Sequence, residues 1–156
     1  MTEYLVSSKT PVTLIGGAPA SVRDVHRALR IAPTCVAADG GANLARGADV
    51  VPVAVIGDLD SISAETSAHL PADRCHFIED QNSTDFEKAL RSINAPVVVS
   101  VGFLGGRIDH ELAALHTLMS FAEKPCILLG SEELVLLAPP RIALNTVAGD
   151  VVSLFP

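Results

Sequence analysis

Five or six short apolar runs punctuate the chain: Val12 to Ile15, Cys35 to Ala38, Val53 to Ile56, Cys75 to Ile78, Val97 to Val101 and Cys126 to Leu129. Each is too short for a helix and is predominantly apolar, with at most one polar residue such as Thr13, His76 or Ser100, the pattern of a strand buried on both faces. Between them lie stretches with helical period. After Ser21 the apolar positions are Val22, Val25 and Leu29; after Thr84 they are Phe86, Leu90 and Ile93; a third set is Ile108, Leu112, Leu115 and Met119. Spacings of 3, 4 and 7 put each set on one face of an amphipathic helix, the face expected to meet the core. Strand and helix in alternation predict an α/β domain with a mainly parallel sheet.

The grammar changes after about residue 132. From Glu133 to Pro156 the apolar stretches Leu134 to Leu137 and Val151 to Phe155 are strand-like, separated by Pro139, Pro140, Asn145 and Gly149, with no helical period between them. We therefore expect residues 1–132 to form one compact α/β unit and 133–156 to begin a separate all-β unit that is incomplete in this chain.

Composition sharpens the picture. Of 156 residues, 49% are hydrophobic and only 4% aromatic, with no tryptophan, so the core must be built from Ala, Val, Leu and Ile. The net charge of −7 argues against a protein that holds a nucleic-acid backbone by bulk electrostatics. Neither a signal peptide nor an apolar run approaching the roughly 18 residues of a membrane-spanning helix is visible, so a cytoplasmic protein without membrane contact is expected. Cys35, Cys75 and Cys126 are far apart and each adjoins an apolar stretch, which predicts buried free thiols rather than a disulfide or zinc site.

In a parallel α/β sheet ligands bind beyond the carboxyl ends of the strands, so the residues that follow each apolar run carry the functional information. Here they are Gly16-Gly17, then Asp39-Gly40-Gly41-Ala42-Asn43, Gly57-Asp58-Leu59-Asp60-Ser61, Asp80-Gln81-Asn82-Ser83-Thr84-Asp85, and Gly105-Gly106-Arg107-Ile108-Asp109-His110. Carboxylates and glycines gather on one predicted edge. Asp58 and Asp60, two apart, would point the same way in an extended segment, with Asp80 and Asp85 converging from the next loop. Such a group repels itself unless a cation sits among it, and a hard divalent ion such as Mg²⁺ takes carboxylate oxygens while leaving positions for water and phosphate. Each acid taken singly has a blander use as a helix cap or a solvated loop residue.

The remaining candidates also have structural readings. Thr84 to Glu87 is a capping box, whose helix start could in addition present amides to a phosphate, with Lys88 one turn on as a point charge or as part of a solvated helix surface. Arg107 suits bidentate phosphate recognition, or pairs with Asp109 or Glu111. His110 could serve as acid, base or anchor, or be structural. His26, His69, His76 and His116 show no metal-ligand spacing. Neither a P-loop, a Gly-x-Gly-x-x-Gly fingerprint nor a Gly-x-Ser-x-Gly elbow is present.

Taken together, the stretches Ala38 to Asn43, Ile56 to Ser61, Asp80 to Leu90 and Gly105 to His110 resemble, in order and spacing, the thiamine pyrophosphokinases (thiamine diphosphokinases). The resemblance covers residues from about 12 to 130 and implies a Rossmann-like three-layer α/β/α fold. It also implies transfer of a pyrophosphoryl group from the co-substrate ATP to thiamine, giving thiamine diphosphate and AMP, with Mg²⁺ as cofactor and a homodimer as the assembly. Carried over position by position, it implies a Mg²⁺ shell of Asp58, Asp60 and Asp85 with Asp80 close by. Asp39, Gly40, Asn43, Ser61, Gln81, Thr84, Lys88 and Arg107 then fall where ATP is held, and Asp109 and His110 where nucleotide and acceptor alcohol meet. Members of the family continue past a Val-Ser-Leu-x-Pro stretch, here Val152 to Pro156, into a C-terminal β-sandwich that contributes to thiamine binding. Residues 133–156 would be its beginning, so nucleotide and Mg²⁺ binding with weak thiamine binding is expected of this chain. Three other readings compete. Asp58-Leu59-Asp60 superficially matches the Asp-x-Asp of haloacid-dehalogenase-like phosphatases and of nucleotide-sugar transferases, although the phosphatase motif follows the first strand, not the third. The non-enzymatic reading is a nucleotide-binding module that lacks its substrate domain.

Overall fold

A computed structural model describes residues 4–155. The elements run β1 Val6–Ser7, β2 Val12–Ile15, α1 Val22–Ile31, β3 Thr34–Ala38, α2 Gly41–Gly47, β4 Ala54–Gly57, α3 Ala64–Ser67, β5 Cys75–Phe77, α4 Asp85–Ser92, β6 Ile93–Asn94, β7 Val98–Val101, α5 Ile108–Ser120, β8 Cys126–Leu129 and β9 Leu134–Leu136. All six expected runs are strands, within a residue or two at their ends. The weakly patterned α2 and α3, and the two-residue strands β1 and β6, carry too little periodicity to be read from sequence.

Two parallel ribbons, in the orders β3-β4-β5 and β2-β7-β8-β9, make up the sheet and meet where β2 lies beside β3, joined by a bridge between Val12 and Pro33. Every pairing within them is parallel except β8 with β9. Separately, β1 pairs with β6 in parallel through Val6 and Ile93.

Strand alternation sorts the core into layers. Val12 and Leu14 of β2, Val36 and Ala38 of β3 and Val98 of β7 face the cluster that contains Phe86, Ala89 and Leu90 of α4 and Ala114 and Leu118 of α5. Their neighbours Ile15, Cys35, Val99 and Val101 face the opposite way, onto Val25 and Ala28 of α1 and Ala45 of α2. With α4 and α5 on one face and α1 and α2 on the other, the expected three-layer α/β/α arrangement is the one found. No helix among the described residues is long and apolar enough to cross a membrane.

Three expectations need correction. In α5 the set Ile108, Leu112 and Met119 is 68%, 57% and 61% exposed, while Ala114, Thr117 and Leu118 are buried and Leu115 is only partly so. This helix is apolar around most of its circumference, so period alone could not choose its face; Ala114 and Thr117 are small enough to let it close on the sheet. Thr117 is satisfied there by donating its hydroxyl to the Ala113 carbonyl at 2.9 Å. Second, Cys75 sits on edge strand β5 and is half-buried, unlike Cys35 and Cys126, though all three are free thiols as expected.

The third concerns the segment from 133. β9 does not open a separate all-β unit: Leu134 to Leu136 pair antiparallel with Leu129 to Ile127 and extend the same sheet. Residues 137–155 carry no strand or helix and are exposed, including the stretch Val151 to Phe155 expected as a strand. Pro156, the last residue of the segment 133–156, lies outside the described residues.

Candidate active site

Gly41, two residues after Asp39, and Gly57, just before Asp58, shape the site. At the end of β3, Ala38 is paired with Ile56 of β4, and the Asp39 amide donates to the Ile56 carbonyl at 3.0 Å. The register therefore sets Asp39 beside Gly57. A methyl group on Gly57 would lie 2.9 Å from the Asp39 Cβ and 3.1 Å from Asp85 Oδ1, and its φ of +153° is unfavourable for any other residue. Gly41 is tighter still: its missing Cβ would be 2.0 Å from the Ile15 carbonyl oxygen, so α2 can begin hard against the end of β2.

Backbone strain accompanies this crowding. Asp39 and Leu59 have φ of +40° and +62°, in the left-handed region that non-glycine residues rarely occupy. The turn is pinned by side chains. Asn43 donates from Nδ2 to the Ser61 carbonyl at 2.9 Å and accepts from the Ser63 amide at 3.0 Å, while the Ser61 hydroxyl donates to Asp60 Oδ1 at 2.9 Å. Asp58 Oδ1 accepts from the Asp60 amide at 3.4 Å, and Asp39 Oδ1 accepts from the Ser61 amide at the same distance.

The result is a carboxylate trio: one oxygen from each of Asp39, Asp58 and Asp60 lies within 4.8 Å of the others, ranging from buried Asp39 to exposed Asp60. Asp85, at the start of α4, stands over Gly57 on the other side. Burial pushes its carboxyl above the ordinary aspartate range, the Lys88 ammonium opposes that, and the negative charges of Asp39 and Asp58 add to it. Lys88 is buried, contrary to the solvated-surface alternative, with Nζ 3.0 Å from Asp85 Oδ1 and 3.6 Å from Asp58 Oδ2. Burial pulls its ammonium down, but the two carboxylates outweigh it and hold the value above that of a free lysine.

Of the four acids expected to form the shell, Asp58 and Asp60 lie in the trio, Asp85 stands beside it and shares the Lys88 ammonium with Asp58, and Asp80 turns elsewhere. Its carboxylate accepts from the Ser83 hydroxyl at 2.7 Å and the Asn82 amide at 3.0 Å and pairs with Arg91 at 3.1 Å, contacts that hold it below the usual carboxylate range. Its place is taken by Asp39, which the motif comparison put with the nucleotide. The sequence signal for this was available: Asp39 and Asp58 follow neighbouring strands, and parallel register brings such positions together.

Thr84 caps α4, its hydroxyl accepting from the Glu87 amide at 3.2 Å, but the reciprocal bond from the Thr84 amide to the Glu87 carboxylate is not made, so the box is half closed. Gln81 is exposed in the preceding turn. Arg107, Asp109 and His110 are exposed at the start of α5. Arg107 takes the pairing foreseen as its alternative, donating from Nε and Nη2 to the two Asp109 oxygens at 3.1 and 2.6 Å. That bond lifts the guanidinium and lowers the carboxyl from their ordinary values. None of the three contacts the carboxylate trio through a hydrogen bond or ion pair among the described residues.

A family model, that of the thiamin pyrophosphokinase catalytic domain, matches residues 25–129, two thirds of the chain and every loop just described. The chain belongs to the thiamin pyrophosphokinase family. Among its relatives, thiamine pyrophosphokinase 3 of rice (Oryza sativa subsp. japonica) is 30% identical over 131 residues, covering 67% of this chain and 49% of that protein. Thiamin pyrophosphokinase 1 of Caenorhabditis elegans is 34% identical over 124 residues, covering 67% and 48%. The chain therefore spans about half the length of the curated relatives it matches. The crystal structure of thiamin pyrophosphokinase from Geobacillus thermodenitrificans superposes with a TM-score of 0.64 at 24% identity over 77% of this chain and 59% of that one, a likeness of fold. Membership of this family leaves the phosphatase and sugar-transferase readings of Asp58-Leu59-Asp60 without support.

Proposed function

We propose that this chain is the nucleotide- and metal-binding catalytic part of a thiamine diphosphokinase, transferring a diphosphoryl group from ATP to the hydroxyethyl arm of thiamine to give thiamine diphosphate and AMP. The reading rests on one structural observation, the carboxylate trio at the carboxyl ends of β3 and β4, inside a chain of this family. The donors are all hard oxygens, clustered closely enough to hold a cation and open to solvent at Asp60, which fits Mg²⁺. Asp39, Asp58 and Asp60 would hold it, with Asp85 beside them. A cation held there would supply charge neutralisation for the transfer, in which the bond from the β phosphorus to the oxygen bridging it to the α phosphorus breaks, a bond to the thiamine hydroxyl oxygen forms, and AMP leaves.

The chain's own residues supply position. Asn43 and Ser61 fix the Asp58–Asp60 turn, so the trio is set before any ligand arrives. Gln81 and Thr84 present the start of α4 to ATP, where amide donors and the positive end of the helix favour an anion. Arg107 is paired at the surface, where exchange of its Asp109 partner for a phosphate costs little. Asp109, so released, and His110 lie next to it for the ribose or the acceptor alcohol. Homodimer formation, as the motifs imply, and a cytoplasmic setting belong to the same proposal.

The test is calorimetric titration with a nonhydrolysable ATP analogue, with and without Mg²⁺, comparing the wild type with the double variant Asp58→Asn, Asp60→Asn. Binding that requires Mg²⁺ and weakens by about 2 kcal/mol or more in the variant supports the proposal. Equal binding in both proteins, or none with Mg²⁺ present, rejects it.

A further inference from the structure

Lys88 is out of place for a phosphate ligand. A lysine that captures phosphate needs its ammonium donors free to turn to the ligand as a point charge. Here the side chain is 3% exposed, and its nitrogen lies between Asp85, at 3.0 Å, and Asp58, at 3.6 Å. Among the described residues no other basic side chain forms an ion pair with Asp39, Asp58, Asp60 or Asp85: Arg91 is taken by Asp80, Arg107 by Asp109, Arg46 by Glu65 and Arg27 by Asp24. The lysine also arrives from a different element than its farther partner. Asp85 and Lys88 share the first turns of α4, whereas Asp58 follows β4, so the ammonium ties helix to strand end across Gly57.

We propose that Lys88 is the internal counter-ion of the carboxylate cluster, a positioning residue that holds Asp58 and Asp85 in place and caps the negative charge offered to a metal, rather than a ligand of the ATP phosphates. This rests on the metal reading above. Four carboxylates with one buried ammonium form a site that stays folded without its cation and binds that cation less tightly than four uncompensated carboxylates would. Loss of the ammonium moves two properties in opposite directions. The apo protein becomes less stable through carboxylate repulsion, while a divalent ion binds more tightly, because a positive charge a few ångströms away has gone.

Mn²⁺ alone, titrated by calorimetry into wild type, Lys88→Met and Lys88→Arg, separates the possibilities. We expect Mn²⁺ affinity to rise about tenfold in Lys88→Met and to return to the wild-type value in Lys88→Arg. The melting midpoint of apo Lys88→Met should fall, and Mn²⁺ should raise it by more than it raises the wild type. Unchanged or weaker Mn²⁺ binding in Lys88→Met, with wild type binding normally, overturns this inference alone. Absence of Mn²⁺ binding in all three proteins overturns the metal reading and this inference with it. A measurement on the wild type covers the case of a variant that does not fold. The ¹⁵N resonance of the Lys88 ammonium, shielded from solvent by burial, should shift on addition of Mg²⁺ alone; a shift with metal-free ATP analogue and none with Mg²⁺ rejects the counter-ion role.

Discussion

Gly57 is sterically confined between two of the carboxylates, Asp39 and Asp85. An added methyl would press on the Asp39 Cβ at 2.9 Å and on Asp85 Oδ1 at 3.1 Å, in a backbone conformation side chains avoid. Gly57→Ala should therefore destabilise the fold by about 1–3 kcal/mol and also separate Asp39 from Asp85. Urea denaturation checks the first effect. The second appears as weaker Mg²⁺-dependent binding of the ATP analogue at a temperature where the variant is still folded. A stable variant with full binding would mean the strand end yields more easily than its geometry indicates. The cysteines make a second case in which neighbours decide behaviour. Burial pushes the Cys35 thiol up to about 12 and Cys126 to about 11, the latter opposed by its Ser100 contact, whereas Cys75 is half-buried at the sheet edge. An alkylating reagent at pH 8 should add to one thiol per native chain and to three after unfolding, counted by intact mass. The alternation of apolar runs could not distinguish Cys75 from the others, because β5 becomes an edge only through the strand order.

At the scale of elements, helix starts were legible where chemistry is local, and helix faces were not where packing decides. Ser21 closes a full capping box with Asp24, each satisfying the other's backbone amide, at 3.2 and 3.1 Å. The Ser21 hydroxyl and amide hold the Asp24 carboxyl below its ordinary value, against burial, with help from Arg27 and Arg23. A lowered folded pKa gives stability that is present above the unfolded value and is lost as pH falls through the folded one. Asp24→Asn should thus be less stable than wild type at neutral pH, and the difference should shrink as pH drops below the ordinary aspartate range. Ser21→Ala should cost about 1 kcal/mol at pH 7, read from the same denaturation curves. A difference that persists unchanged at low pH would show that the asparagine disturbs packing rather than removing a charge. By contrast, Ile108, Leu112 and Met119 have the spacing of a core face and lie outward, since Ala114, Thr117 and Leu118 offer the sheet a flatter surface. Similarly, Asp80 shares a loop with Asp85 but is drawn away by Arg91, a partner on the next turns of α4 that motif matching does not weigh.

For the whole molecule, topology explains why the acids meet. The chain lays down β2, β3, β4 and β5, then returns to place β7, β8 and β9 on the other side of β2, so the loops after β3 and β4 open at one carboxyl edge. Tertiary ties close the structure beyond the strands. The Lys124 ammonium donates to the Leu90, Arg91 and Ile93 carbonyls at 2.9, 3.1 and 2.9 Å, capping α4 from the segment that leads into β8, and lies over the Tyr4 ring at 4.8 Å. The sheet ends at β9, whose pairing with β8 gives Leu134 to Leu136 to the α/β unit rather than to a second one. Residues 138–155 bury nothing, and their hydrogen bonds are local, from the Val147 amide to Asp150 and from the Asp150 amide to the Val147 carbonyl. Stability of the α/β unit should therefore be independent of this segment. A version ending at Ala138 is expected to melt within about 2 °C of the full chain and to keep its Mg²⁺-dependent affinity for the ATP analogue, because no residue of the site touches what was removed. Ending instead at Glu133 removes β9, exposes the edge of β8 with Ile127 and Leu129, and should lower the midpoint by several times that amount. Equal losses in both truncations would place the structural boundary beyond β9, and would mean that residues 138–155 pack in solution against the same domain.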